Sequence, residues 1–134
     1  MRPYAQVLEQ LRNAGLRPTR QRLALAKLLF ENGPRHMTAE ALHGEALGSS
    51  IRVSLATVYN TLHQFTDAGL LREIVVDTTR SYFDNTTHEH GHFYHQASGK
   101  LMDIESPVQL AHMPTLPAGT KMTGLDVVIR LVDE

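Results

Sequence analysis

The chain has 134 residues and a mass of 15.0 kDa, with 42% hydrophobic and 20% charged residues. This length suits one ordinary domain or two small ones, and the apolar fraction is high enough for a folded core. The absence of cysteine excludes a disulfide scaffold, a thiol nucleophile and a structural zinc site of four cysteines. Because no apolar stretch approaches the roughly 20 residues that cross a bilayer, and the N-terminus lacks the apolar core of a secretory signal, we expect a cytoplasmic protein without a membrane partner.

Charge is distributed unevenly along the chain, although the formal net charge is only −1. Residues 1–35 carry seven basic and two acidic side chains, a local charge of +5. Residues 85–134 carry three basic and six acidic side chains, a local charge of −3, together with five of the eight histidines. The polar run after Asp84 is typical of a hinge. The sequence therefore predicts a basic domain over 1–84 and an acidic, histidine-rich domain over 85–134.

Apolar residues at helical spacing predict four helices in the first part of the chain. Three of these segments begin after a Ser or Thr that can cap a helix, and glycines follow where the pattern stops. The predicted segments are Tyr4–Ala14, Thr19 to Gly33, 39–47 after Thr38, and Ser54 to Gly69.

After Gly69 the pattern changes from helical to extended. The runs LLREIVV (70–76) and RSYFD (80–84) are rich in strand-forming residues and flank a turn at 77–79. Helices followed by such a hairpin describe a winged helix-turn-helix. An ordinary small α+β domain fits the same pattern, so periodicity alone leaves both open.

The second part of the chain contains fewer signals. HFYHQASGKLMDIE (92–105) predicts two short strands around a turn at 98–99, and the Ser-Pro pair that opens 106–112 predicts a brief helix there. LDVVIRLVD (125–133) predicts a final strand with alternate apolar residues on one face. Because about 47 residues bury little surface alone, we expect this part to complete its core in a homodimer, with a higher oligomer also open.

The predicted fourth helix has a polar face that suits nucleic acid. Short donors and acceptors on this face match phosphates and base edges in a major groove, where an α-helix fits. Basic residues around the start of the second helix would contact phosphates. The alternative for a polar stripe is a solvated helix face. The candidate DNA-binding residues are Arg17, Arg20, Arg22, Ser54, Thr57, Tyr59 and Asn60.

Histidines cluster at the start of the second part of the chain. His90 and His92 alternate along an extended segment and so share one face, and His88 and His95 are close in sequence. Imidazoles on one face, joined by a carboxylate, suit Zn²⁺, Fe²⁺ or Mn²⁺. The pattern therefore predicts a metal site rather than incidental histidines.

The remaining candidates for this site are less clear from local sequence. Either Asp84 or Asp103 could supply the carboxylate. His36, taken alone, is predicted to be a surface residue in the loop before Thr38. The other histidines, His43, His63 and His112, are predicted to be structural or exposed to solvent.

Taken together, these motifs resemble the ferric uptake regulator superfamily over nearly the whole chain. The resemblance rests on GLRPTRQR (15–22), HMTAEAL (36–42), VSLATVYNTLHQFTDAGLL (53–71), RSYFD (80–84), and HGHFYH with LMDIE (90–105). Within the superfamily, AGLRPTRQR, VSLATVYNTL and the ending MPTLPAGTK…LDVVIRL are similar to the iron response regulator branch of α-proteobacteria. That branch controls iron and haem genes.

The resemblance implies an α+β protein with an N-terminal winged helix-turn-helix and a small C-terminal α/β dimerisation domain. It also implies a regulatory divalent metal, Mn²⁺, Fe²⁺ or Zn²⁺, which couples the two domains and makes the affinity for DNA depend on metal. The implied partner is double-stranded operator DNA. Carried over to matching positions, the metal ligands are His36, Asp84, His90, His92 and Asp103.

Departures from the family pattern concern the cofactors. His95 and Ser98 stand where the first cysteine pair of many relatives' structural zinc site would lie, so that site is not expected here. Gly91 interrupts the run of three histidines that the iron response branch often uses for haem. His88 and His95 are candidates for additional metal or haem ligands.

Three classes of function are compatible with these features. We expect a DNA-binding transcriptional regulator, mainly a repressor, of iron and haem homeostasis genes that responds to metal and is a candidate for haem sensing. The alternative within the superfamily is a peroxide- or manganese-sensing regulator. A metalloenzyme is disfavoured because no general base, nucleophile or Gly-rich pocket loop is recognisable, so we do not expect an enzyme. A metal buffer protein is disfavoured because a DNA-reading helix accompanies the ligands.

Overall fold

The computed structural model describes residues 4–87 and 90–134. The chain separates into two units, Met1–Thr87 and His88–Glu134. Among the described residues, no helix is both long and apolar enough to cross a membrane. In chain order the helices and strands are α1 (Ala5–Asn13), α2 (Arg20–Phe30), β1 (His36–Met37), α3 (Ala39–Gly48), α4 (Leu55–Asp67), β2 (Arg72–Asp77), β3 (Arg80–Asp84), β4 (His92–His95), β5 (Lys100–Asp103) and β6 (Val128–Leu131).

Hydroxyl side chains begin three of the helices, as the sequence predicts. The side-chain oxygens of Thr19, Thr38 and Ser54 each accept a hydrogen bond from the backbone N–H three residues further on. Each bond satisfies an N–H that has no partner within its own helix. The four predicted helices are confirmed, with bounds that differ by three residues at most.

The helices of the first unit pack around an apolar core that also includes strand β3. Burying each large apolar side chain here contributes about 1.5–3 kcal/mol relative to leaving it exposed. The strands β2 and β3 form the predicted hairpin, and β1 adds a third antiparallel strand in the order β1-β3-β2. Four helices and this hairpin form a winged helix-turn-helix. Core side chains include Leu11, Leu25, Leu42, Leu62, Phe65 and Phe83.

The position of His36 differs from the one that its local sequence predicts. It lies in strand β1, not in a surface loop, and is only partly exposed. β1 pairs antiparallel with β3, which places His36 opposite Asp84. A strand of two residues is too short to show an alternating apolar pattern, so periodicity could not reveal it.

The second unit is a three-stranded sheet in the order β5-β4-β6. The strands β4 and β5 form the predicted hairpin, and Gly99 adopts a φ of 71° at its turn, a conformation that glycine accepts readily. β6 lies along the other edge of β4 and runs parallel to it. β4 is therefore the central strand, hydrogen-bonded on both sides.

One prediction for the second unit is wrong, and another is confirmed only in part. Residues 106–112 form no helix, because 105–124 are exposed throughout and a short helix needs a buried face to stabilise it. The final strand covers only Val128–Leu131 rather than 125–133, and Ile129 on its predicted apolar face is 41% exposed. The segment 105–124 also exposes the apolar side chains of Val108, Leu110, Met113, Leu116 and Met122.

Candidate metal centre and nucleic-acid interface

Two histidines and an aspartate meet at one end of the sheet in the second unit. Nε2 of His90 lies 3.3 Å from Oδ1 of Asp103, and Nε2 of His92 lies 3.2 Å from the same oxygen. The centroids of the two imidazole rings are 4.3 Å apart. The candidate ligand atoms of all three residues lie within 4.8 Å of one another. Three potential metal ligands therefore converge on one point.

Strand pairing explains this convergence. His92 begins β4 and lies directly opposite Asp103, which ends β5. His90 comes two residues before His92, so an extended backbone places both imidazoles on the same face. The backbone N–H of Ile104 donates to the carbonyl of Gly91 at 2.9 Å, which continues the pairing beyond the strands. The hairpin thus fixes all three side chains on a paired backbone.

Burial differs between the nitrogen and oxygen ligands. The side chains of His90 and His92 are 10% and 2% exposed, whereas that of Asp103 is 41% exposed. Two imidazoles are therefore shielded from water, and the carboxylate is accessible from solvent. This arrangement can hold an ion on rigid nitrogen ligands while leaving an approach for it on the carboxylate side.

The separations between these atoms fit a bound divalent ion. Protein ligands lie about 2.0–2.2 Å from Zn²⁺, so two ligands at octahedral or tetrahedral angles are about 2.8–3.6 Å apart. The observed distances of 3.2 and 3.3 Å fall within this range. Two imidazole nitrogens and one carboxylate oxygen suit Zn²⁺, Fe²⁺ or Mn²⁺. Since these ions take four to six ligands, the three residues need at least one more.

A second His–Asp pair lies in the first unit. His36 and Asp84 face each other across β1 and β3, and Asp84 is only 1% exposed. The His36 ring packs edge-on against Tyr82, with 6.4 Å between centroids. Oδ1 of Asp84 accepts a hydrogen bond of 2.8 Å from the backbone N–H of Thr86. A carboxylate this buried is stable only with hydrogen bonds or a cation, as expected of a metal ligand.

His95, one of the two additional ligand candidates, does not belong to the same group. Nε2 of His95 lies 2.8 Å from Oδ1 of Asp133, and its Nδ1 accepts a hydrogen bond of 3.2 Å from the N–H of Ser98. Both ring nitrogens of His95 are therefore occupied at the far end of β4. His88 lies outside the described residues.

The candidate DNA-binding residues Ser54, Thr57, Tyr59 and Asn60 lie at the N-cap and in the first turns of α4, and two of their hydroxyls are engaged at the start of the helix. Ser54 Oγ accepts from the N–H of Thr57 at 3.1 Å and lies 3.0 Å from Thr57 Oγ1. Asn60 and Tyr59 are exposed one turn further on. Ser54 and Thr57 therefore shape the start of the helix, and Tyr59 and Asn60 lie on its exposed surface.

A carboxylate from α3 holds the hydroxyl of Tyr59. This hydroxyl donates a hydrogen bond of 2.6 Å to Oε1 of Glu40. The bond lowers the pKa of Glu40 and raises the pKa of Tyr59, because it favours the charged carboxylate and the neutral phenol. The Tyr59 ring also stacks on His63, with 6.5 Å between centroids. Tyr59 is thus held in place on an otherwise open surface.

The three arginines of the basic cluster differ in their surroundings. Arg17 and Arg20 are exposed, as a phosphate contact requires. The guanidinium of Arg22 is partly buried and donates to the carbonyl of Arg17 at 2.8 Å and to Gln64 on α4. Arg22 therefore ties the start of α2 to α4.

Residues that support these sites were not recognised from the sequence. Each makes a side-chain hydrogen bond to a distant part of the chain: Glu40 to a residue 19 positions away, Gln64 to one 42 positions away, and Asn85 to one 56 positions away. Local spacing carries no signal for such partners, because each is an ordinary polar residue on the surface of its own segment.

Both the sequence and the fold have counterparts among known proteins. The model of the ferric uptake regulator family matches residues 13–129. The chain is 34% identical over 120 residues to the peroxide-responsive repressor PerR of Staphylococcus aureus. The matched region covers 90% of this chain and 78% of that protein.

Two solved structures share the fold at 24% identity. The ferric uptake regulator Fur of Vibrio cholerae has a TM-score of 0.74 over 95% of this chain and 99% of that one. The regulator of Pseudomonas aeruginosa with manganese has a TM-score of 0.69 over 94% and 96%. The curated relative reported above is a peroxide-responsive repressor, which does not support the iron response branch expected from the sequence. The chain belongs to the ferric uptake regulator family, whose members are DNA-binding, metal-responsive transcription regulators and not enzymes.

Proposed function

We propose that this chain is a cytoplasmic, dimeric repressor that binds double-stranded operator DNA when it holds a divalent metal. One observation carries the proposal: His90, His92 and Asp103 converge at metal-ligand separations in a chain of the ferric uptake regulator family. The exposed polar side chains of α4 and the exposed arginines Arg17 and Arg20, around the start of α2, are the proposed DNA contacts. The exposed apolar side chains in 108–132 support self-association.

The proposed ligand set is larger than the group in the second unit. His90, His92 and Asp103 are supported by their separations, and His36 and Asp84 by their register, the burial of Asp84 and the family resemblance. When bound, the ion supplies the positive charge that stabilises two carboxylates in their charged form. We propose that metal occupancy of these ligands and affinity for DNA are thermodynamically linked.

The proposed metal is Mn²⁺, Fe²⁺ or Zn²⁺, since all three accept nitrogen and carboxylate ligands. The similar regulator of Pseudomonas aeruginosa was solved with manganese, which supports this choice. Haem is not part of the proposal. Gly91 separates His90 from His92, and a side chain added at Gly91 would meet Ile104 and Val108 at 3.1 Å, so a third adjacent histidine has little room.

The signal favoured by the relatives is peroxide, not iron or haem status. The 34% identical PerR is a peroxide-responsive repressor. The chain contains no cysteine, so a peroxide response would have to use the metal ligands or methionine instead of a thiol. An iron-homeostasis repressor is the second candidate and keeps the same metal ligands.

Fluorescence anisotropy of a labelled duplex from the promoter of the protein's own gene tests the metal dependence. We expect chelated protein to bind weakly and Mn²⁺ to raise specific affinity at fixed salt. His92→Ala and Asp103→Ala should abolish this rise, whereas His112→Ala and Glu105→Ala, exposed controls in the same unit, should keep it. Tight binding that ignores metal in every variant would contradict the proposed switch.

Adding hydrogen peroxide separates the two candidate signals. Fe²⁺ reduces peroxide readily and Mn²⁺ does not, so peroxide should release DNA from the Fe²⁺-loaded protein alone. Mass spectrometry of the released protein should show added oxygen on peptides that contain the ligands. If DNA stays bound to the Fe²⁺-loaded protein under peroxide while metal removal still releases it, the iron-homeostasis candidate is preferred.

A further inference from the structure

Asn85 forms an unusually complete set of hydrogen bonds for a single side chain. Its Nδ2 donates to the carbonyl of Leu29 at 2.8 Å and to the carbonyl of Gly33 at 2.9 Å. Its Oδ1 accepts from the backbone N–H of Arg35 at 2.8 Å. Its own backbone N–H donates to the carbonyl of Arg35 at 3.1 Å. One residue thus joins the end of α2, the following loop and the end of β3.

These hydrogen bonds join the residues that are adjacent in sequence to the His36–Asp84 pair. Asn85 directly follows Asp84, and its partner Arg35 directly precedes His36. The hydrogen bonds between Asn85 and Arg35 therefore hold the ends of β1 and β3 together at the point where the two candidate ligands face each other. Without them, a pairing of only two residues would depend on little else in the backbone.

The same residue also supports the orientation of the Asp84 carboxylate. The N–H of Thr86 donates to Oδ1 of Asp84 at 2.8 Å, and Asn85 forms the middle of this turn. Anchoring Asn85 on both sides fixes where the Thr86 N–H points. The salt bridge between Arg35 and Glu45 on α3 holds the opposite strand, so both sides of the pair are secured to helices.

We infer that Asn85 is a positioning residue that holds His36 and Asp84 in the geometry needed to bind the metal. The inference rests on the proposed function, because it takes these two residues as ligands. Partners outside the first ligand sphere typically change metal affinity by about 10–100-fold when they are removed. Asn85 is not itself a ligand, since both of its side-chain polar atoms are committed to backbone groups.

The test is a Co²⁺ titration of the full chain, followed by absorption in the visible range. Asn85→Ala should weaken Co²⁺ binding about 10–100-fold and change the intensity of the ligand-field bands, because a protein ligand is exchanged for water. Asn32→Ala, an exposed asparagine in the preceding loop, is the matched control and should bind as the wild type does. Asn85→Ser, which keeps a hydroxyl acceptor for the Arg35 N–H, replaces Asn85→Ala if the latter does not fold.

A double-mutant cycle separates positioning from general loss of structure. If Asn85 acts through Asp84, then Asn85→Ala should weaken Co²⁺ binding by less than about threefold in an Asp84→Ala background. Equal weakening in both backgrounds would overturn the inference, as would unchanged binding and spectra in Asn85→Ala. If His36→Ala and Asp84→Ala themselves leave Co²⁺ binding unchanged, the proposed ligand set fails instead.

Discussion

Arg22 on α2 donates two hydrogen bonds to the side-chain oxygen of Gln64 on α4, at 3.2 Å from Nε and 2.8 Å from Nη2. A third bond joins its Nη1 to the carbonyl of Arg17. The guanidinium therefore positions the proposed DNA-reading helix and commits three of its five N–H donors to the protein itself. Arg17 and Arg20, its neighbours in sequence, remain exposed.

This difference predicts distinct salt dependences for the arginine variants. Each phosphate contact contributes about 0.9 to the slope of log affinity for DNA against log salt. Arg20→Ala should lower the slope by about this amount, whereas Arg22→Ala should weaken binding and leave the slope unchanged. Anisotropy titrations between 50 and 200 mM salt, a range of about fourfold in which phosphate contacts are well resolved, measure both quantities. Arg12→Ala on α1 serves as the charge-matched control; an equal loss of slope in Arg22→Ala would show that it contacts phosphate.

The Tyr59–Glu40 hydrogen bond predicts a pH-dependent contribution to stability. The pKa of Glu40 lies below its ordinary value of 4.5 in the folded chain, because the Tyr59 hydroxyl donates to the carboxylate. The contribution is therefore present above pH 4.5 and is lost as the pH falls through the lowered pKa. Since both groups are largely exposed, we expect only a few tenths of a kcal/mol.

Urea unfolding of the metal-free protein at several pH values tests this contribution. Tyr59→Phe should unfold more easily than the wild type at neutral pH, and the difference should disappear in acid. The pKa of Tyr59 is raised by the same bond, so the difference should also disappear when the pH rises through that raised pKa. Tyr4→Phe, at another exposed tyrosine, should show neither trend.

Gly91 lies where a larger residue would disturb the ligands on either side of it. A Cβ at this position would meet Ile104 Cδ1 and Val108 Cγ2, each at 3.1 Å. Gly91→Ala should lower the free energy of unfolding by about 1 kcal/mol through overpacking and should weaken metal binding. Thermal unfolding and Co²⁺ titration measure the two effects.

Two further variants sharpen the Gly91 experiment. Val108→Ala removes one of the two clashing side chains, so the double variant should recover part of both losses. Gly44→Ala in the middle of α3 meets no atom within 4 Å and should instead stabilise the chain, by roughly 0.5–1 kcal/mol. If Gly91→Ala stabilises to the same extent, the neighbouring side chains move aside without cost.

His95 should behave as a structural residue and not as a metal ligand. It is held between Asp133 and Ser98, so His95→Ala should reduce stability while leaving the stoichiometry and affinity of Co²⁺ binding unchanged. Asp133→Asn should cause a smaller loss of stability, because a neutral acceptor remains. A reduced number of bound ions in His95→Ala would identify this group as a second metal site.

Local pattern was sufficient to predict much of the fold, because its determinants lie within single segments. The caps Thr19, Thr38 and Ser54 and the hairpin turn at 77–79 are each predictable from a few residues. The prediction of a helix at 106–112 is wrong, because a proline in a favourable position does not show whether the helix would have a buried face to stabilise it.

Local sequence predicts only part of the candidate metal centre, because some of its residues come together only in the folded chain. The alternation of His90 and His92 predicts that they share one face. The register of β4 and β5 then places Asp103 opposite His92. His36 gives no local signal because its strand has two residues, and Asn85 gives none because its partners lie up to 56 residues away. Only tertiary structure or resemblance to a family could place these two residues near a site.

The register of the β4–β5 hairpin has a consequence for how the protein folds. His92 and Asp103 are close in the chain, and a hairpin of this size closes in about 1–10 μs, whereas the β4–β6 pairing requires a much longer loop to close. Two ligands can therefore meet, and capture an ion, before the sheet is complete. Metal added at the start of refolding should speed the appearance of the folded chain, while metal added afterwards should only slow its unfolding.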